Sequence, residues 1–142
     1  MKRRSLFALL PFLAATPALA QQKKKPAAGK QRVIFQVSDN DPGKWQLALN
    51  NAKNVQVDLG AQNVAIEIVA YGPGLAMLKA DSVSATRIAE AMGAGVKVVA
   101  CENTMRNQKL AKQDMLPKVD YVMAGVVELM QKQQQGWAYI RP

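Results

Sequence analysis

Histidine is missing from all 142 residues. Its absence excludes Ser-His-Asp and Cys-His nucleophile pairs, imidazole general bases and His-ligated zinc or iron, and most hydrolase chemistry goes with them. Cysteine is almost missing too: Cys101 stands alone, so no disulfide can close within the chain, although an exported compartment would permit one. No aromatic-flanked basic run of the kind that stacks bases is present. Long apolar runs are also absent. The stretch from Leu6 to Ala15 is interrupted by Pro11 and falls short of the roughly 18 residues that a spanning helix needs.

That stretch instead belongs to a three-part leader. Lys2, Arg3 and Arg4 form a basic start, the apolar run follows, and small residues end at Ala18-Leu19-Ala20. A signal peptide over residues 1–20, cleaved after Ala20, is expected, with the mature protein periplasmic. Arg3-Arg4-Ser5-Leu6-Phe7 also fits a twin-arginine signal, so the Sec and Tat routes both stay open. Residues 21–30 hold Lys23, Lys24, Lys25 and Lys30 and read as a flexible, solvated linker. The net charge of +9 belongs mostly to these two segments, because residues 31–142 carry twelve basic against ten acidic side chains. The expected partners therefore do not include nucleic acid, and no stable membrane insertion is expected.

Residues 31–142 have the length of one domain with a real core. Val33 to Ser38 is a β-branched run of strand length, and Asp41-Pro42 reads as a helix cap and first-turn proline. Trp45, Ala48, Leu49, Ala52, Val55 and Leu59 then recur at helical spacing, closed by Gly60. The cycle repeats with strands at 64–70, 96–100, 119–123 and 137–140. Helical pieces are expected around Leu75 to Leu78, from a Ser82 or Ser84 cap through Met92, from an Asn103 or Thr104 cap to about Met115, and over 125–135 with Val126, Val127 and Met130 on one face. Strands alternating with helices predict an α/β domain with a mostly parallel sheet covered on both faces.

Ligands of open parallel sheets bind beyond the carboxyl ends of the strands. Those ends predict a rim holding Asp39 and Asn40, Tyr71, Gly72 and Gly74, then Cys101, Glu102, Asn103 and Thr104, then Met123 to Gly125. Cys101 lies between a strand and a helix start, where backbone N–H groups and the helix's positive end favour a thiolate. It equally fits as a small buried apolar residue. Asp39 and Asp41 pair as carboxylates or cap a helix, and Glu102 lies beside the thiol. Tyr71-Gly72-Pro73-Gly74 lacks the lysine of a phosphate loop and reads as a turn that allows close backbone approach. Cys101 and Met105, four apart, offer soft ligands suited only to Cu(I), and the remaining methionines read mostly as core.

The segments Val33 to Ser38, Asn40-Asp41-Pro42-Gly43-Lys44-Trp45, Ala70-Tyr71-Gly72-Pro73-Gly74 and especially Gly95 to Met105, with its Ala-Cys-Glu-Asn-Thr-Met ending, resemble the DsrE/DsrF-like family and its exported single-domain branch. The resemblance spans 31–142. It implies a three-layer α/β/α fold with about five mostly parallel strands, homo-oligomers (trimers or hexamers) and a link to sulfur metabolism. In the relay members a cysteine after the third strand carries a persulfide, the position that Cys101 matches. The resemblance thus implies a sulfurtransferase-like persulfide carrier exchanging sulfur with a donor or acceptor protein or a small persulfide, with no cofactor and no metal. The alternatives are a noncatalytic oligomeric binding module in which Cys101 only packs, and Cu(I) or redox sensing.

Overall fold

A computed structural model of the chain describes residues 29–142. The expected leader and the lysine cluster Lys23 to Lys25 lie outside the described residues.

Val and Ile dominate β1 (Gln31–Val37), β2 (Val64–Ala70) and β3 (Lys97–Cys101) because strands covered on both faces need apolar residues at consecutive positions. Two three-residue strands, β4 (Asp120–Val122) and β5 (Ala138–Ile140), complete a five-stranded sheet of order β4-β3-β2-β1-β5. Every pairing is parallel, with β1 and β2 in register from Gln31 opposite Val64 to Val37 opposite Ala70.

Helix α1 (Pro42–Leu59) starts as the sequence predicts. Asp41 Oδ1 accepts from the N–H groups of Gly43 at 2.8 Å and Lys44 at 3.4 Å, and Trp45, Ala48, Leu49 and Ala52 form the buried stripe. A 3₁₀ segment follows β2 at Gly72–Leu78 and buries Leu75, Met77 and Leu78. Helix α2 (Ala85–Gly93) has Ser84 at its cap position without a capping bond, because the buried hydroxyl accepts from Gln46 Nε2 at 3.1 Å instead.

Two expectations need correction. The helix after β3 is not capped by Asn103 or Thr104: α3 (Glu102–Asn107) has Cys101 itself at the cap. Nor does it reach Met115. Lys109 turns into the left-handed region at φ 56°, Leu110 N–H bonds Met105 O at 2.9 Å and Lys109 N–H bonds Arg106 O at 3.1 Å, a paired closure that ends the helix.

The sheet separates two apolar clusters. One joins β1, β2 and β3 to α1, α2, α3 and the 3₁₀ segment through Phe35, Ile68, Leu75, Ile88, Val98 and Met105 among others. Among the described residues α4 (Gly125–Gln134) is the one helix on the other face, where its Leu129 packs over Ile34, Val69 and Val99. Parallel crossovers are right-handed. The chain steps one way along the sheet from β1 to β4 and then jumps back to pair β5 with β1, so the last crossover helix falls on the opposite face. Along α4 only Gly125 and Leu129 are buried; Val126, Val127 and Met130 face outward, beside exposed Met123. Met77, Met105 and Met115 lie in the core with Met92 packed against it, as the reading of the methionines as mostly core expects, and Met123 and Met130 are the surface exceptions.

Candidate functional site

The strand order decides which part of the rim is the crevice. The connection leaving β3 goes to α3 on one face, and that leaving its neighbour β4 goes to α4 on the other. Diverging connections open a cleft at the strand ends, the general place for ligands in such sheets. Cys101 is the last residue of β3, paired with Val122, and it alternates with Val99 toward the α4 face. Its Sγ lies 3.8 Å from Met123 O, so the thiol has an acceptor in the β4–α4 connection.

Two helix starts thus converge on one sulfur. Gly125 lets α4 begin close against the sheet: a Cβ there would lie 3.0 Å from Tyr71 Cβ and 3.1 Å from Val69 Cγ1. The thiol is 4 % exposed, and this burial, the largest single influence on it, pushes its pKa up. The Thr104 hydroxyl and the backbone N–H groups of Gly125, Thr104 and Asn103 act the other way and together hold it below the ordinary thiol value. Thr104 is aligned for this. Its Oγ1 accepts from Gly72 N–H at 2.9 Å, which leaves the hydroxyl hydrogen free for the sulfur. Asn103 N–H is already engaged by Met123 O at 3.0 Å.

Not all of the predicted rim gathers here. Gly72 and Thr104 bond directly, Gly72 O also accepts from Gln108 Nε2 at 3.2 Å, and Tyr71 packs against Gly125. Gly74 shapes the turn from below: a Cβ would fall 2.3 Å from Val37 O, so only glycine lets the turn cross the end of β1. Glu102 sits in the first turn of α3, 3.6 Å from Lys112, and Asn103 Oδ1 accepts from Arg106. Asp39 and Asn40 follow β1, which β2 separates from β3. The Asp39 carboxylate pairs with Lys44 at 2.8 Å and Arg141 at 3.6 Å, and the Lys44 hydrogen bond chiefly holds its pKa below the usual carboxylate range. Gly125 lies in a predicted rim segment without being singled out, since only its approach to Cys101 marks it; a glycine opening a helix after a strand is the available signal.

Met105 packs into the cluster on the face opposite that of Val99 and Cys101, so the soft-ligand pair is not assembled. Among the described residues no group of three or more Cys, Asp or Glu side chains is placed to hold a metal, and no helix is long and apolar enough to cross a membrane.

Fold and site together define a small three-layer α/β/α protein with a single thiol at the diverging crevice of a parallel sheet. The DsrE/DsrF-like family matches residues 31–142, and the chain belongs to that family, which is of sulfur-relay type. A solved protein of unknown function from Methanobacterium thermoautotrophicum shares 38% identity over 79% of this chain and 99% of its own, with a TM-score of 0.75. Another, from Bacteroides thetaiotaomicron, also of unknown function, shares 14% identity over 79% and 95%, with a TM-score of 0.66, a likeness of fold alone. No curated protein matches significantly.

Proposed function

We propose that Cys101 carries sulfur as a persulfide. The carrying observation is the set of donors around Sγ, which outweighs burial and favours the thiolate. The thiolate attacks the outer sulfur of a donor R–S–SH; the donor S–S bond breaks, R–S⁻ leaves, and Cys101–S–SH retains the proton on its outer sulfur. An acceptor thiolate takes that sulfur in the same way and restores the Cys101 thiolate. Family membership supports the sulfur chemistry. Intact mass spectrometry after polysulfide treatment should show one added sulfur atom that is lost on reduction and absent in Cys101→Ser. No adduct, with a thiol that resists alkylation until unfolding, would refute the relay.

The apolar outer face of α4, with Met123, Val126, Val127 and Met130 exposed, supports homo-oligomers built on this surface, next to the sulfur. It also favours the second reading, a binding module in which the nearly inaccessible Cys101 only packs. The leader supports export to the periplasm, which N-terminal sequencing of the secreted chain tests through cleavage after Ala20.

A further inference from the structure

The residue most out of place in this fold lies away from the thiol. Glu67, in the middle of β2, is fully buried, and neither carboxyl oxygen has a hydrogen-bond partner. A strand covered on both faces calls for an apolar residue there, and a carboxyl without hydrogen bonds is costly to bury. Glu67 lies beneath α4, on the face of Val69. Lys97 Nζ approaches from β3 at 3.6 Å and Lys132 Nζ from α4 at 3.3 Å. Lys132 also pairs with Glu128, one turn earlier on α4, at 3.7 Å. On the other side, β1 opposes Glu67 with uncharged Ile34, and the charge this strand carries on the same face, Arg32, donates to Gln135 O at 2.8 Å. A cavity of about 370 Å³ opens beside Glu67, lined also by Lys30, Lys97, Lys132 and Trp137.

This cluster bears on α4 because the helix has so little else holding it: Gly125 and Leu129 are its only buried residues. The cluster grips the second half of α4, whereas Gly125, its first residue, faces the Cys101 sulfur. A ten-residue helix is a rigid rod about 15 Å long, so loosening one end tilts the other.

We propose that Glu67 is a positioning residue: by holding a proton beneath α4, next to the Lys132 ammonium that Glu128 also pairs, it sets how firmly α4 sits on the sheet, and through α4 how closely Gly125 approaches the Cys101 sulfur. The consequence at the sulfur rests on the proposed thiolate chemistry; the anchoring does not. Burial and then the Glu128 carboxyl raise the pKa of Glu67 more than Lys97 and Lys132 lower it. The folded chain therefore binds this proton more tightly than the unfolded chain. Docking of α4 is firmest below the ordinary glutamate pKa and weakens as pH rises through the raised one, when the buried negative charge on Glu67 draws water through the cavity.

The test uses the whole chain with Cys101→Ser, so that no thiol titrates. Amide exchange along α4 and the indole signal of Trp137, whose ring lies 4.4 Å from Lys132 Nζ, are followed against pH. Both should show one transition above the ordinary glutamate range, with α4 less protected on the alkaline side. Glu67→Gln should abolish it and keep α4 protected. Lys97→Met, which removes a cation carried by β3 rather than by α4, should move it to higher pH, and serves as the test if Glu67→Gln does not fold. A flat response in the parent chain, a transition that survives Glu67→Gln, or one that Lys97→Met leaves in place would overturn the proposal. Sulfur loading of the unsubstituted chain separates the two ideas: loading without an α4 transition sinks only the anchor, and a transition without loading sinks only the relay.

Discussion

Thr104→Val removes the side-chain hydroxyl that helps to hold the Cys101 thiol pKa down and keeps nearly the same shape. A hydrogen bond to a charged group contributes about 1.5–3 kcal/mol, and the neutral thiol keeps part of the contact, so about 1.4 kcal/mol of preference for the thiolate is lost. That corresponds to a rise of about one unit in the thiol pKa. At neutral pH the thiolate population then falls about tenfold. The remaining thiolate is more basic and, with a Brønsted coefficient of about 0.4–0.5, about threefold more nucleophilic, so alkylation slows only about three- to fourfold. The pH–rate profile for iodoacetamide separates these effects: its midpoint should move up about one unit and its alkaline plateau should rise about threefold. Thr104→Ser keeps the hydroxyl and the bond from Gly72 N–H, and should restore the parent midpoint. A midpoint unmoved in a folded Thr104→Val chain, or moved as far by Thr104→Ser, would refute the claim that this hydroxyl holds the sulfur.

The lowered pKa also makes stability depend on pH, since the stabilisation from Cys101 is complete above the unfolded thiol pKa and lost as pH falls through the folded one. Urea midpoints of the parent and Cys101→Ser should accordingly diverge as pH rises through that window. Gly74→Ala drives a methyl into the Val37 carbonyl and should cost about 1–3 kcal/mol, read from urea unfolding at constant m-value. Asp41→Ala removes the cap of α1 and should cost about 1 kcal/mol in the same assay, whereas Asp41→Asn should cost little. The proposed homo-oligomer predicts that Val126→Glu on the exposed face of α4 shifts sedimentation toward the monomer; a parent chain that already sediments as a monomer, or an oligomer that Val126→Glu leaves unshifted, would refute assembly on this surface.

The alternation of strands and helices was legible without coordinates because each signal is local. Asp41-Pro42 starts α1 by capping chemistry, the Trp45 to Ala52 stripe declares its buried face, and the apolar runs of β1, β2 and β3 announce strands covered on both sides. The end of α3 was not legible, since Lys109 has no intrinsic preference for the left-handed region and adopts it only under the closing bonds from Leu110 and Lys109.

Residue types alone singled out Cys101 as the one thiol at a strand end, with Thr104 and Gly72 among its neighbours on the rim. Its surroundings depend on strand order, a long-range property that no local pattern encodes. Pairing β5 with β1 puts α4 on the opposite face from α3, and this brings Gly125 N–H to the same sulfur that the start of α3 already faces. The same placement lays α4 over Glu67, a residue whose sequence neighbours only mark it as an acid within a strand. Tertiary structure thus decided both the crevice around Cys101 and the buried carboxyl beneath its covering helix, because each is built from segments that only the fold makes neighbours.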